Sequence, residues 1–126
     1  MNLIIGGAWQ GKLEYAKERF ALSSEEIYEC SADAGLDMDK RCFDHYERYL
    51  WYCMEGGVEP YTDFNEGCII ICHDVFCGVV PVDAKEREWR QLAGRTITAL
   101  ASKADSVTRI FCGIPMELKK GREICG

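Results

Sequence analysis

Short blocks of consecutive apolar residues alternate along the chain with longer stretches in which apolar positions recur every three or four residues. The mostly apolar blocks at 2–5, 26–30, 68–72 and 107–112 read as strands, and their near-continuous hydrophobicity predicts burial on both faces. Helical periodicity predicts a first helix over 12–21, with Leu13, Ala16 and Phe20 along one stripe. A second, over about 39–54, is rich in aromatics (Phe43, Tyr46, Tyr49, Leu50, Trp51) and is expected to be buried or to form an interface. A third, over about 85–104, carries Trp89, Leu92, Ala93, Thr96, Leu100 and Ala104 at helical spacing and should pack on the sheet. The acidic, turn-prone stretch 55–66 reads as a loop. Strands alternating with helices imply an α/β protein with a mostly parallel sheet, whose ligands bind at the carboxyl ends of the strands.

One segment at that edge carries recognisable chemistry. Gly6, Gly7, Ala8, Trp9, Gln10, Gly11, Lys12 and Leu13 follow the first strand and open the first helix. They reproduce G-x-x-x-x-G-K-[ST] except for its final hydroxyl. In that motif backbone N–H groups cradle phosphates, the lysine neutralises their charge and the hydroxyl holds Mg²⁺. A helix N-terminus adds a dipole favourable to an anion. The fold expected is thus a three-layer P-loop-type domain with roughly four to five strands, and all eight loop residues are candidate nucleotide ligands. Lys12 would supply the charge, although a lysine solvated at a helix start is its plainer role.

A chain of 126 residues, 48% hydrophobic and 11% aromatic, suits one domain over 1–126 with a genuine core. The net charge of -6 argues against a nucleic-acid partner. No apolar run approaches the roughly 20 residues of a membrane span, and no basic, apolar leader opens the chain, so a cytoplasmic location is expected. Eight cysteines, Cys30, Cys42, Cys53, Cys68, Cys72, Cys77, Cys112 and Cys125, are scattered without a C-x-x-C pair. They read as small core side chains, with metal binding or redox chemistry as the competing account.

From His73 onward the string HDVFCGVVPVDAKEREWRQLAGRTITALASKADSVTRIFCGI resembles, without an internal gap, the C-terminal half of the bifunctional adenosylcobinamide kinase / adenosylcobinamide-phosphate guanylyltransferase family. The family pattern N-E-V-G-x-G-I-V-P, then F-R-D-x-x-G-R, then A-D-x-V and S-G is met by Val75, Gly78, Val79, Val80, Pro81, Arg87, Arg90, Gly94, Arg95, Ala104, Asp105, Val107 and Gly113. GGAWQGK resembles the family's T-G-G-A-R-S-G-K-S. Departures are Leu13 at the hydroxyl, Asp74 at a glutamate, Gln91 at an aspartate and Ile97 at an asparagine. The chain is shorter than usual, and the missing residues come from the middle. The resemblance implies ATP or GTP with Mg²⁺, a corrinoid substrate and a homo-oligomer, a trimer being expected. It also implies a histidine that accepts GMP in a context like M-x-x-R-x-x-H-H. Met38, Arg41 and His45 meet that context, with Asp44 at the first histidine.

Candidate catalytic residues are therefore Lys12, His45 and Asp74. A neutral His45 imidazole, oriented by Asp44 or Glu47, can attack phosphorus; a packed, hydrogen-bonded histidine is the alternative. Asp74 would hold Mg²⁺ directly or through water, or else cap a turn. His73 is expected near the phosphates, and Arg87, Arg90 and Arg95 would reach phosphate or a partner subunit unless merely solvated. The function expected is phosphorylation of adenosylcobinamide, GMP transfer to its phosphate, or both. A non-catalytic nucleotide-binding or regulatory relative is the alternative.

Overall fold

The computed structural model describes residues 1–7, 10–74 and 83–119. In chain order it comprises β1 (Asn2–Gly6), α1 (Lys12–Phe20), a 3₁₀ turn (Ser24–Glu26), β2 (Ile27–Glu29), β3 (Cys42–Asp44), α2 (Tyr46–Gly56), β4 (Ile69–His73), α3 (Ala84–Lys103), β5 (Ser106–Phe111) and β6 (Ile114–Lys119). The six strands form one sheet in the order β2-β3-β4-β1-β5-β6. Every neighbouring pair is parallel except β5 with β6. The α/β class and mostly parallel sheet expected from the sequence are present, with two further strands, β3 and β6.

Each central strand feeds two cores at once. Ile4, Ile69, Ile71 and Ile110 pack with Ala16 and Leu22 on the α1 side. Leu3, Phe43, Ile70, Cys72 and Val107 pack on the other side with Leu50 of α2 and Ala93, Ile97 and Leu100 of α3. Burial on both faces explains why these strands read as continuous apolar runs rather than alternating ones. Each fully buried isoleucine contributes about 1.5–3 kcal/mol.

The single long helix expected over 39–54 is a correction: the segment is a strand, a junction and then a helix. Cys42 and Phe43 are wholly buried in opposite cores, the two-sided alternation of a strand. His45 then takes the left-handed conformation, φ 56 and ψ 46, as the residue preceding α2. A strand of three residues cannot outweigh the helical period of the aromatics that follow it. Those aromatics are consumed inside the chain: Tyr46 and Tyr49 are buried, and Phe64 meets Phe43 at a tilt and Tyr46 edge to face. The Tyr46 hydroxyl donates to the Tyr61 carbonyl at 2.8 Å, and the Tyr49 hydroxyl accepts the Tyr61 N–H at 2.9 Å. These bonds fasten the loop that the turn-prone stretch foreshadowed.

β6 escaped the sequence because all six of its residues are exposed, leaving no half-buried alternation to read. The hairpin is set by its turn, in which Cys112 and Gly113 both have positive φ, 51° and 75°, the requirement of a two-residue primed turn. Cys30, Cys42, Cys53, Cys68 and Cys72 are buried free thiols, as expected of core side chains, whereas Cys112 is exposed. Cys77 and Cys125 lie outside the described residues. No helix among the described residues is long and apolar enough to cross a membrane.

Candidate functional site

Parallel pairing brings the carboxyl ends of β1, β3, β4 and β5 to one edge of the sheet, where a ligand is expected in this architecture. The glycine loop leaves β1 there. Gly6 has no room for a side chain, since a Cβ would lie 2.6 Å from the carbonyl oxygen of Ile110 on β5. Gly11, at φ +86°, turns the chain into α1 in a conformation that L side chains rarely adopt. The Lys12 ammonium folds back over the loop and donates to the Gly7 carbonyl at 2.6 Å. Gln10 latches the loop to the β5–β6 turn: its backbone carbonyl accepts the Gly113 N–H at 3.1 Å, and its side-chain oxygen accepts the Cys112 N–H. Leu13, partly buried, packs against the core on the α1 side. Ala8 and Trp9 lie outside the described residues.

Beside the loop is a cavity of about 340 Å³ lined by Gly7, Gln10, His73, Asp74, Arg109 and Phe111. Asp74 is drawn to this place by its N–H, which donates to the Gly6 carbonyl at 2.8 Å. Its mostly buried carboxylate lies 3.9 Å from the Arg109 guanidinium, which stays about half exposed. His73 and Asp74, adjacent at the end of β4, thus share this cavity with Gly7 and Gln10 of the distant glycine loop, and Lys12 reaches its edge only through the Gly7 carbonyl. Arg109 and Phe111 were not anticipated; the available signal was a cation inside an otherwise apolar strand run.

One strand beyond β4, a network of short bonds surrounds His45. The Glu47 carboxylate accepts the His73 N–H at 2.7 Å, and its other oxygen lies 3.1 Å from Nδ1 of His45. Trp89 of α3 donates its indole N–H to the Glu47 carbonyl at 2.8 Å. Glu47 is buried yet fully engaged, which burial of a carboxylate requires. Asp44 accepts the His45 N–H at 2.9 Å, and its second oxygen lies 3.7 Å from Nε2 of His45. Burial raises the Asp44 carboxyl above the ordinary range, with the His45 ring opposing that shift.

The remaining sequence candidates lie elsewhere. Arg90 sits 4.0 Å from Glu86 on its own helix. Arg95 lines a separate cavity of about 420 Å³ with Glu59, Tyr61 and Asp63. The Arg87 N–H bonds the Asp83 carbonyl at the start of α3.

A family model described as cobinamide kinase / cobinamide phosphate guanyltransferase matches residues 52–118, just over half of the chain. The chain belongs to this family. Membership in the cobinamide kinase / guanyltransferase family assigns it, in general terms, to nucleotide-dependent transfer in cobalamin biosynthesis. No curated protein matches the chain. The matched stretch contains His73, Asp74, Arg109 and Phe111 but begins after His45 and after the glycine loop, so those two features stand on their own geometry and on the motif they resemble.

Proposed function

We propose that the chain is a nucleotide-dependent transferase that binds ATP or GTP at the loop of Gly6, Gly7, Ala8, Trp9, Gln10, Gly11, Lys12 and Leu13 and transfers a phosphorus group to a corrinoid. GMP transfer onto adenosylcobinamide phosphate is the reaction the geometry supports best. The observation that carries this is the held imidazole of His45. A carboxylate oxygen can only accept, and of the two carboxylates beside the ring only Glu47, 3.1 Å from Nδ1, is within hydrogen-bond reach, Asp44 lying 3.7 Å from Nε2; Glu47 would thus keep the ring proton on Nδ1 and leave the Nε2 lone pair as the nucleophile. Nε2 attacks the α-phosphorus of GTP, the bond to the β-phosphate oxygen breaks, and pyrophosphate leaves. In the second half the acceptor phosphate oxygen attacks the same phosphorus and the N–P bond breaks, returning His45. Lys12, released from the Gly7 carbonyl, would offset charge on the departing phosphates.

Mg²⁺ accompanying the nucleotide would be held by Asp74 and would neutralise phosphate charge. Among the described residues no three His, Cys, Asp or Glu side chains converge to hold a metal. One carboxylate at the pocket nevertheless suits an ion that arrives with phosphates and keeps several of its waters. Phosphorylation of adenosylcobinamide draws less support, because Leu13 stands in place of the metal-binding hydroxyl and packs against the core. The same observation favours a second reading, a nucleotide-binding relative without turnover.

The test is incubation with GTP labelled on the α-phosphate. Acid-labile label on the protein that disappears in His45→Ala is the expected result. Label that survives the substitution removes His45. Tight GTP binding without label or cobinamide-dependent turnover leaves the non-catalytic relative. In calorimetry Lys12→Ala should weaken nucleotide binding by roughly ten- to a hundredfold, and unchanged affinity would refute the loop assignment.

A further inference from the structure

The hairpin β5–β6 presents an exposed apolar strip that neither core uses: Phe111, Ile114, Met116 and Leu118 are 59%, 63%, 46% and 59% exposed. Two of its cross-strand pairs put chemistry side by side. Phe111 is opposite Ile114 and Arg109 is opposite Met116; alternation along β5 keeps Arg109 and Phe111 on one face. Both also line the cavity beside Gly7, Asp74 and His73. A half-exposed guanidinium thus stands where the phosphate cavity passes into an apolar surface. Asp74 anchors it from one side at 3.9 Å, which leaves further donors of the planar fork for a ligand.

We infer that Arg109, with the strip Phe111, Ile114 and Met116, is the acceptor subsite, in which the guanidinium takes the phosphate monoester and the apolar strip takes the body of the macrocycle that bears it. This rests on the transferase reading above and adds the side of the site from which the acceptor approaches. Charge selects the ligand: the strip alone would attract any apolar surface, whereas a single arginine at its inner end asks for an anion attached to that surface. The cavity that would receive the acceptor phosphate also contains Gly7 and Gln10 of the loop and His73, whose N–H is held by the same Glu47 carboxylate that holds His45.

The experiment measures binding of adenosylcobinamide phosphate, adenosylcobinamide and GTP to the full chain and two variants. Arg109→Gln is expected to weaken adenosylcobinamide phosphate by roughly tenfold while leaving adenosylcobinamide and GTP unchanged. Met116→Asp, at an exposed position, is expected to weaken both corrinoids and spare GTP, whose retained affinity reports a folded protein. If Arg109→Gln weakens GTP as much as the corrinoid phosphate, the arginine serves the nucleotide and the inference falls. If the wild-type chain binds both ligands and neither variant alters corrinoid affinity, the subsite is wrong while the transferase reading stands. A wild-type chain that binds GTP but neither corrinoid overturns both.

Discussion

Oε2 of Glu47 lies 3.1 Å from Nδ1 of His45, and the other carboxylate oxygen is occupied by the His73 N–H at 2.7 Å. One buried side chain therefore joins the end of β4 to the imidazole that follows β3. Glu47→Gln separates its two duties. The amide oxygen can keep the His73 N–H, but the amide nitrogen then faces Nδ1, which must accept, and the ring proton moves to Nε2. Labelling of the protein from α-labelled GTP is expected to slow by roughly a hundredfold with little change in melting temperature. Glu47→Ala should instead cost about 1–3 kcal/mol, because a buried N–H loses its partner. Equal labelling of Glu47→Gln and wild type would show that the tautomer is not set from this side.

Close approach of two backbones makes Gly6 irreplaceable. A methyl group there would sit 2.6 Å from the Ile110 carbonyl oxygen, and β1 and β5, both interior strands of the sheet, would have to part. Gly6→Ala is expected to cost about 1–3 kcal/mol and to lower the melting temperature by roughly 3–12 °C. Thermal denaturation followed by circular dichroism measures this; a melting curve superimposable on that of wild type would contradict the packing described.

Asp44 predicts a pH dependence of definite sign. Its carboxyl is raised first by burial, so the folded state holds this proton more tightly than the unfolded chain does. The group's contribution to stability is greatest below the ordinary carboxylate range and is lost as pH rises through the raised value. Asp44→Asn retains an acceptor for the His45 N–H and carries no charge. The variant should therefore be more stable than wild type at pH 7, and the difference should shrink toward pH 4. Urea titrations at the two pH values decide it, and a variant less stable at pH 7 would show that the His45 ring outweighs the burial.

Burial pushes the thiols of Cys30 and Cys42 up to about 12, and Cys72 is also raised. Alkylation proceeds through the thiolate and needs access. A short iodoacetamide treatment of the native chain should modify the exposed Cys112 and spare Cys30, Cys42 and Cys72 until the chain is unfolded. Peptide mass spectrometry reads the sites directly, and modification of Cys72 at the rate of Cys112 would place a mobile opening at the heart of β4.

The strands around β1 were legible because burial on both faces leaves an unbroken apolar string, and α3 because twenty residues give a period enough turns to repeat. β3 was hidden for the opposite reason: Cys42 and Phe43 supply one alternation, and Tyr46, Tyr49 and Leu50 extend a helical period backwards over it. The glycine loop was readable from its local motif, in which Gly11 answers a backbone demand of its own, whereas the Ile110 carbonyl that requires Gly6 lies far along the chain on β5. Glu47 was visible as a neighbour of His45, but its hold on the His73 N–H was not, because a contact across 26 positions depends on β3 and β4 lying side by side. Arg109 and Phe111 belong to the same class, two residues whose meaning comes from the wall they share with Gly7.

Gln10 has a last consequence. By clasping the tip of the hairpin through both its peptide oxygen and its amide, it makes the glycine loop and the β6 ribbon a single mechanical unit. Whatever quiets one end quiets the other, so the ordering cost of the second ligand is partly met by the first, and each should improve the affinity of its companion by the same factor.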